Sequence, residues 1–181
     1  VQFDPKKGLR IGAATTHRQI EKSPLIKNHY PVLFDMEQNL ASVQTRNWGT
    51  IGGNLAHADP AGDPGTVLIA LKATVIIANK EKERTIPLEE FFVDYFETAL
   101  REGELLLEIQ VPPIPAKTAV VYEKFNVIKN ELGIVSVAAA ITLDGKAEKC
   151  KEARIALGAA ASIPKRAKEA EKILIGQKLE K

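Results

Sequence analysis

Only one cysteine, Cys150, occurs among the 181 residues. A single thiol can neither close an internal disulfide nor hold a multi-cysteine metal cluster, so a reducing compartment is expected and any iron–sulfur ligation must come from another chain. Long apolar runs are missing as well. No stretch approaches the roughly 20 residues of a membrane helix, and no basic leader precedes an apolar segment at the amino end, so membrane insertion is not expected and the expected location is the cytoplasm. Charge of one sign is also scarce. Lys and Arg total 25 against 23 Asp and Glu, a net charge of +2, which gives no electrostatic footprint for nucleic acid or a lipid surface. The lysines gathered over residues 146–181 alternate with glutamates and have no aromatics among them, so nucleic-acid binding is not expected. There is no internal repeat and no low-complexity tract. Residue 1 is valine and the only methionine is Met36, so a trimmed start is expected.

What is present suffices for a core, at 45% hydrophobic residues, and its patterning favours two units over one. Turn signals at Asp4-Pro5 and Lys7-Gly8 lead to a short strand over 9–13. Thr16 and Gln19 form a capping-box pattern ahead of Ile20, and Pro24 interrupts that helix. Val32, Leu33, Met36 and Leu40 lie at helical spacing, ending near Ser42. A further helix starts at Asp63-Pro64, with Val67, Leu68 and Leu71 inward. Residues 73–78 and 84–88 read as a hairpin, 88–96 as a short helix packing Phe91, Phe92 and Tyr95, and 105–111 as a strand stopped by Pro112-Pro113. Beyond that double proline come three strands, over 120–127, 134–143 and 150–159, the last two joined at Asp144-Gly145. A helix from Pro164 to about Ile175 closes the pattern. The expected fold is α+β, with one unit over 1–113 and a second, a small antiparallel sheet with a helix on it, over 114–181.

The most informative stretch is TIGGNLAHADPAGD, residues 50–63. Gly52 and Gly53, framed by Thr50 and Asn54, read either as a plain turn or as a nest of bare backbone amides that binds an anion without lysine. Asp63 reads as a helix cap or as an acceptor for ribose hydroxyls, and the two roles are compatible. No Gly-Lys-Ser/Thr follows the glycines, which disfavours generic phosphate binding of the P-loop kind. His57 reads as a hydrogen-bonding loop residue, while His17 and His29 are scattered over the first helices without metal spacing. Neither a catalytic residue nor a metal site is expected.

The longer segment QTRNWGTIGGNLAHADPAGD resembles the flavin-binding segment of the FAD subunit, or FAD domain, of the molybdenum hydroxylases, the family of xanthine dehydrogenase, aldehyde oxidase and carbon monoxide dehydrogenase. LRIGAATT before it, and FFVDYFETALREGELLLEIQVPP and YEKFNVIKNELGIVSVAAAITLDG after it, match in the same order. The resemblance implies the second lobe of a flavin-binding domain followed by the family's carboxyl-terminal domain. It implies FAD with its pyrophosphate on Thr50, Ile51, Gly52, Gly53 and Asn54 and its ribose near Asp63. Leu40 falls at the adenine end, and Leu106 where a strand backbone reaches the isoalloxazine ring. Lys124 falls where a lysine meets the ring's N1 and O2 edge, and Leu132 beside the ring. By spacing alone Leu40 and Leu106 are core residues and Lys124 a solvated lysine. Arg46 and Asn47 set the turn before the glycines, and Trp48 is packing or a lid.

The function implied is an electron-transfer flavoprotein component of a multi-subunit oxidoreductase. Molybdopterin and iron–sulfur clusters would sit on partner subunits, with NAD or another acceptor taking the electrons. Two rivals differ in class: a self-contained flavin oxidoreductase, and a non-catalytic nucleotide-binding or assembly module. The family pattern includes an earlier glycine-rich loop that nothing before Leu9 supplies, more helix at the carboxyl end, and a basic pair where Val127-Ile128 stands. A longer chain or a companion polypeptide is expected to complete the site.

Overall fold

The computed structural model describes residues 1–128, 130–145 and 149–178. In chain order these give β1 (Gln2–Asp4), β2 (Gly8–Gly12), α1 (His17–Glu21), α2 (Pro24–His29), α3 (Pro31–Gln38), α4 (Val43–Trp48), α5 (Ile51–His57), α6 (Asp63–Ala70), β3 (Thr74–Ala78) and β4 (Glu83–Pro87). There follow β5 (Phe92–Asp94), β6 (Glu97–Thr98), β7 (Leu105–Val111), β8 (Thr118–Phe125), β9 (Val135–Leu143), β10 (Cys150–Gly158), β11 (Lys165–Arg166) and α7 (Lys168–Leu174). The fold is mixed α and β with antiparallel pairing throughout: a sheet ordered β1-β2-β7-β3-β4, a sheet ordered β11-β10-β9-β8, and the β5-β6 hairpin.

The first sheet carries the core. Leu9 and Ile11 of β2, Val75 and Ile77 of β3 and Ile109 of β7 are fully buried beneath Ile20, Ile26, Leu33 and Met36 of the helices. The local signals act as chemistry dictates. Thr16 and Gln19 close the capping box of α1, and Ser23 caps α2, where Pro24 starts a helix because its missing N–H is not needed there. All eight residues of α6 are buried, since it packs on β9 and β10 of the second sheet and against helices α3 and α5.

Away from the glycine segment, two elements differ from the sequence pattern. Residues 88–96 are not a helix: a 3-10 turn (Leu88–Glu90) leads into the β5-β6 hairpin. Ala99 N–H donates to Phe91 O, and Phe96, at φ 54°, donates its N–H to Ala58 O. Those tertiary hydrogen bonds outweigh the helical spacing of the aromatics. Phe91 and Phe92 do point inward, edge to face with centroids 5.6 Å apart, but Tyr95 is 63% exposed on the hairpin tip. The last helix starts at Lys168 instead of Pro164, because residues 165–166 pair with β10 and Ala167 N–H donates to Ile155 O. The turn expected at Asp144-Gly145 adjoins 146–148, which lie outside the described residues.

Candidate functional site

The glycine pair lies in the first turn of α5 and not in an open loop. Thr50 is the N-cap: its Oγ1 accepts from Gly53 N–H at 3.1 Å. Ile51 N–H donates to Thr15 O at 3.0 Å, Gly52 N–H to Ala13 O at 2.9 Å and Asn54 N–H to Thr50 O at 2.9 Å. The expectation of bare, anion-ready amides is therefore corrected. A Thr followed by helix-compatible residues is an N-cap signal, and the adjacent glycines concealed it. Gly52 is required for close approach, because a Cβ there would stand 2.5 Å from Ala13 Cβ and 2.7 Å from Ala13 O. Gly53 faces open space, where a Cβ would meet only Thr50 Oγ1, at 3.0 Å.

That open space is a cleft of about 1020 Å³. One wall is formed by the start of α5 and the 40–42 turn, the other by Ile128, Asn130 and Leu132 in the β8–β9 connection. Of the residues singled out in the sequence, Leu40, Thr50, Gly53, Asn54, Asp63 and Leu132 line it; Ile51, Gly52, Leu106 and Lys124 do not. Ile51 is fully buried, and Leu106 is half-buried against the core in β7. Next to Leu106 the β7 strand bulges: Leu106 faces Ile77 and Glu108 faces Ile76, so Leu107 is the extra residue. Its carbonyl accepts Ala13 N–H at 2.8 Å, and Ala13 O takes Gly52 N–H, which ties the bulge to α5.

Asp63 and Lys124 meet each other. Asp63 Oδ2 accepts from Lys124 Nζ at 2.7 Å and Oδ1 from Tyr122 Oη at 2.5 Å; both charged side chains are nearly buried, and Lys124 also reaches Asn39 O. Asp63 is not the cap of α6, which is Gly62; it sits in the first turn, where a carboxylate suits the helix dipole. Nor is Lys124 solvated. Tyr122, unnoticed in the sequence, lies two residues from Lys124 and hence on the same strand face, which is the signal that could have found it. Burial, then the Asp63 charge, push its phenol well above the usual range.

A second buried pair was also missed. His17 Nδ1 lies 3.0 and 3.1 Å from the two carboxylate oxygens of Glu37, with the side chains 2% and 0% exposed. Burial holds the Glu37 carboxyl above the usual carboxylate range, against the lowering effect of His17. Arg46 belongs to α4 and does more than set a turn. Its Nη1 donates to Leu40 O at 2.5 Å and Ala41 O at 2.7 Å, and its Nε to Glu21 at 3.0 Å, fixing Ala41 at φ 45° on the cleft wall. Asn47 also lies in α4, and Trp48 is 88% exposed, packed on nothing. His57 closes α5, its ring tilted against Phe96 at 5.1 Å. Among the described residues, no cluster of metal-binding side chains occurs and no helix is long and apolar enough to cross a membrane.

The chemistry of the walls suits a nucleotide. Apolar Leu40, Ile128 and Leu132, the hydroxyls of Ser42, Thr45 and Thr50, and a buried Asn130 Oδ1 with no hydrogen-bond partner combine an apolar lining with a few convergent polar groups.

A family model described as the FAD binding domain in molybdopterin dehydrogenase matches residues 2–114, and one described as the CO dehydrogenase flavoprotein C-terminal domain matches residues 120–181. The chain is 38% identical over 171 residues to the 6-hydroxypseudooxynicotine dehydrogenase complex subunit alpha of Paenarthrobacter nicotinovorans, covering 94% of this chain and 57% of the relative. It is 36% identical over 172 residues to the glyceraldehyde dehydrogenase medium chain of Sulfolobus acidocaldarius, covering 95% and 60%. A solved carbon monoxide dehydrogenase from Hydrogenophaga pseudoflava superposes with a TM-score of 0.90 at 33% identity, over 95% of this chain and 59% of that one. The chain thus spans less than two thirds of the length of these curated relatives.

Proposed function

The chain belongs to the family of FAD-binding domains of molybdopterin dehydrogenases, and from that premise we propose that it holds FAD in the cleft between the α5 start and the β8–β9 connection, as the electron-transfer flavoprotein component of a multi-subunit oxidoreductase. The observation that carries the reading is the cleft itself, about 1020 Å³ and lined by Leu40, Thr50, Gly53, Asn54 and Asp63. Residues 1–113 form the flavin-binding unit and 114–181 the carboxyl-terminal unit. Partner subunits bear the iron–sulfur clusters and the molybdopterin, and NAD or another acceptor takes the electrons onward.

Bound FAD supplies the redox chemistry; the protein supplies position and electrostatics. Leu40 offers an apolar surface to the adenine end. Thr50, Gly53 and Asn54 present a hydroxyl, an uncovered Cα and an amide side chain to the middle of the ligand. Ile51 and Gly52 act behind them by fixing the turn. Asp63 faces the ribose, and Lys124 acts through Asp63 as well as by its own charge toward the ring edge, while Leu106 and the neighbouring bulge shape the strand at the ring end. The test is the absorbance spectrum and flavin content of the protein purified in its native assembly. About one FAD per chain is expected. A colourless assembly that takes up no added FAD would overturn the proposal in favour of a non-catalytic module. Purification of the yellow chain without companion subunits would favour a self-contained flavin oxidoreductase.

A further inference from the structure

Because the first four amide groups of the α5 turn are already paired within the chain, an anionic ligand beside it needs another donor. Among the described residues, the cleft walls carry no Lys or Arg, while Asp59, Asp63 and Glu131 are acidic. The walls also present the hydroxyls of Ser42, Thr45 and Thr50, the Asn54 amide and two imidazoles, and His17 is the imidazole held in place. Its Nδ1 is fixed by both oxygens of Glu37, its backbone N–H donates to Gly49 O at 3.0 Å, and its Nε2 makes no hydrogen bond within the chain although the residue lines the cleft. Gly49 leaves that edge of the ring clear, since a Cβ at residue 49 would lie 3.3 Å from His17 Cδ2.

We propose that His17 donates from Nε2–H to an anionic oxygen of the nucleotide diphosphate, and that Glu37 is the positioning residue that orients the ring. The proposal rests on the FAD reading above and adds a ligand contact to it. The proton balance supports it. With one proton between Nδ1 and the Glu37 carboxylate and another on Nε2, the pair is neutral overall, whichever partner holds the shared proton. In either arrangement Nδ1 is engaged by Glu37 and Nε2–H is the group that faces the cleft. The charged groups around the pair are Arg46 of α4, Asp63 of α6 with Lys124 of β8, and Arg18 and Glu21 on α1 itself.

The experiment compares FAD, ADP and adenosine as probes on the full chain in its assembly stripped of flavin. His17→Phe should weaken ADP and FAD by roughly tenfold or more, the scale of a hydrogen bond to a charged group, and leave adenosine unchanged. His17→Gln, which places an amide N–H near the Nε2 position, should restore much of the ADP affinity. Gly49→Ala, whose Cβ would stand 3.3 Å from His17 Cδ2 and 3.1 Å from Thr45 O, crowds the ring edge and should repeat the selective loss even where His17→Phe fails to fold. The ring nitrogen spectrum should show a protonated Nε2 that shifts with ADP and not with adenosine. Unchanged ADP affinity in His17→Phe, parallel losses of ADP and adenosine, or a bare Nε2 would each overturn the donor while leaving the flavin reading intact. A wild-type chain that takes neither FAD nor ADP would overturn both.

Discussion

The two walls of the cleft are secured by different physics. On the α5 side, backbone hydrogen bonds from residues 51–54 and a largely apolar core on β2, β3 and β7 set the geometry. On the β8–β9 side, small residues such as Ala138 and Ala156 pack on α6, and the strand is fastened by Tyr122 and Lys124 to one carboxylate, while Val121, Phe125 and Val135 stay exposed. A wall built on apolar burial spreads its stability over many contacts. One fastened through a buried charge depends on a few atoms, because an ion left without its partner is penalised by several kcal/mol.

The contrast is sharpest at Lys124. Lys124→Ala should lower stability by about 3–5 kcal/mol, and in hydrogen exchange the amides of β8 and β9 should lose protection before those of β2 and β7. Simultaneous loss in both sheets would erase the distinction between the walls. Ile109→Ala should remove about 2–5 kcal/mol by denaturant titration, with the loss shared across the first sheet. A smaller effect separates the units by pH. Arg84, by its side-chain hydrogen bonds, holds the Glu104 carboxyl at about 2, well below its ordinary value of 4.5. The folded-state value is depressed, so this stabilisation is full above 4.5 and is lost as pH falls through about 2. Glu104→Gln should flatten acid unfolding over that window for the first unit only. The smallest change is expected at exposed Val121, where Val121→Thr should stay within about 0.5 kcal/mol; a larger loss would mean that the outer sheet face is covered.

Where the sequence was legible, the signal was local. The capping box at Thr16 and Gln19, the break in the first helix at Pro24, the strands β8 and β9 and the inward residues of α6 all follow from neighbours within a few residues. The hairpin after Leu88 was not legible, since Phe96 N–H and Ala99 N–H find their acceptors at Ala58 and Phe91. At the candidate site, Leu40, Thr50, Gly53, Asn54 and Asp63 were named and share one cleft, but the amides of the glycine turn are paired and not bare. Glycine permissiveness suggested free amides, while Gly52 serves a close backbone contact with Ala13. His17 and Glu37 are 20 residues apart on separate helices, so no spacing rule could join them.

Helix α6 is gripped at both ends by the second sheet: Asp63 in its first turn by β8, and the carbonyl of Ile69 in its last turn by Arg154 Nη2 of β10 at 2.8 Å. A rod fastened at two points cannot serve as a hinge pin. The aperture above it is thus set before any guest arrives, and less of the guest's affinity is spent on ordering its host.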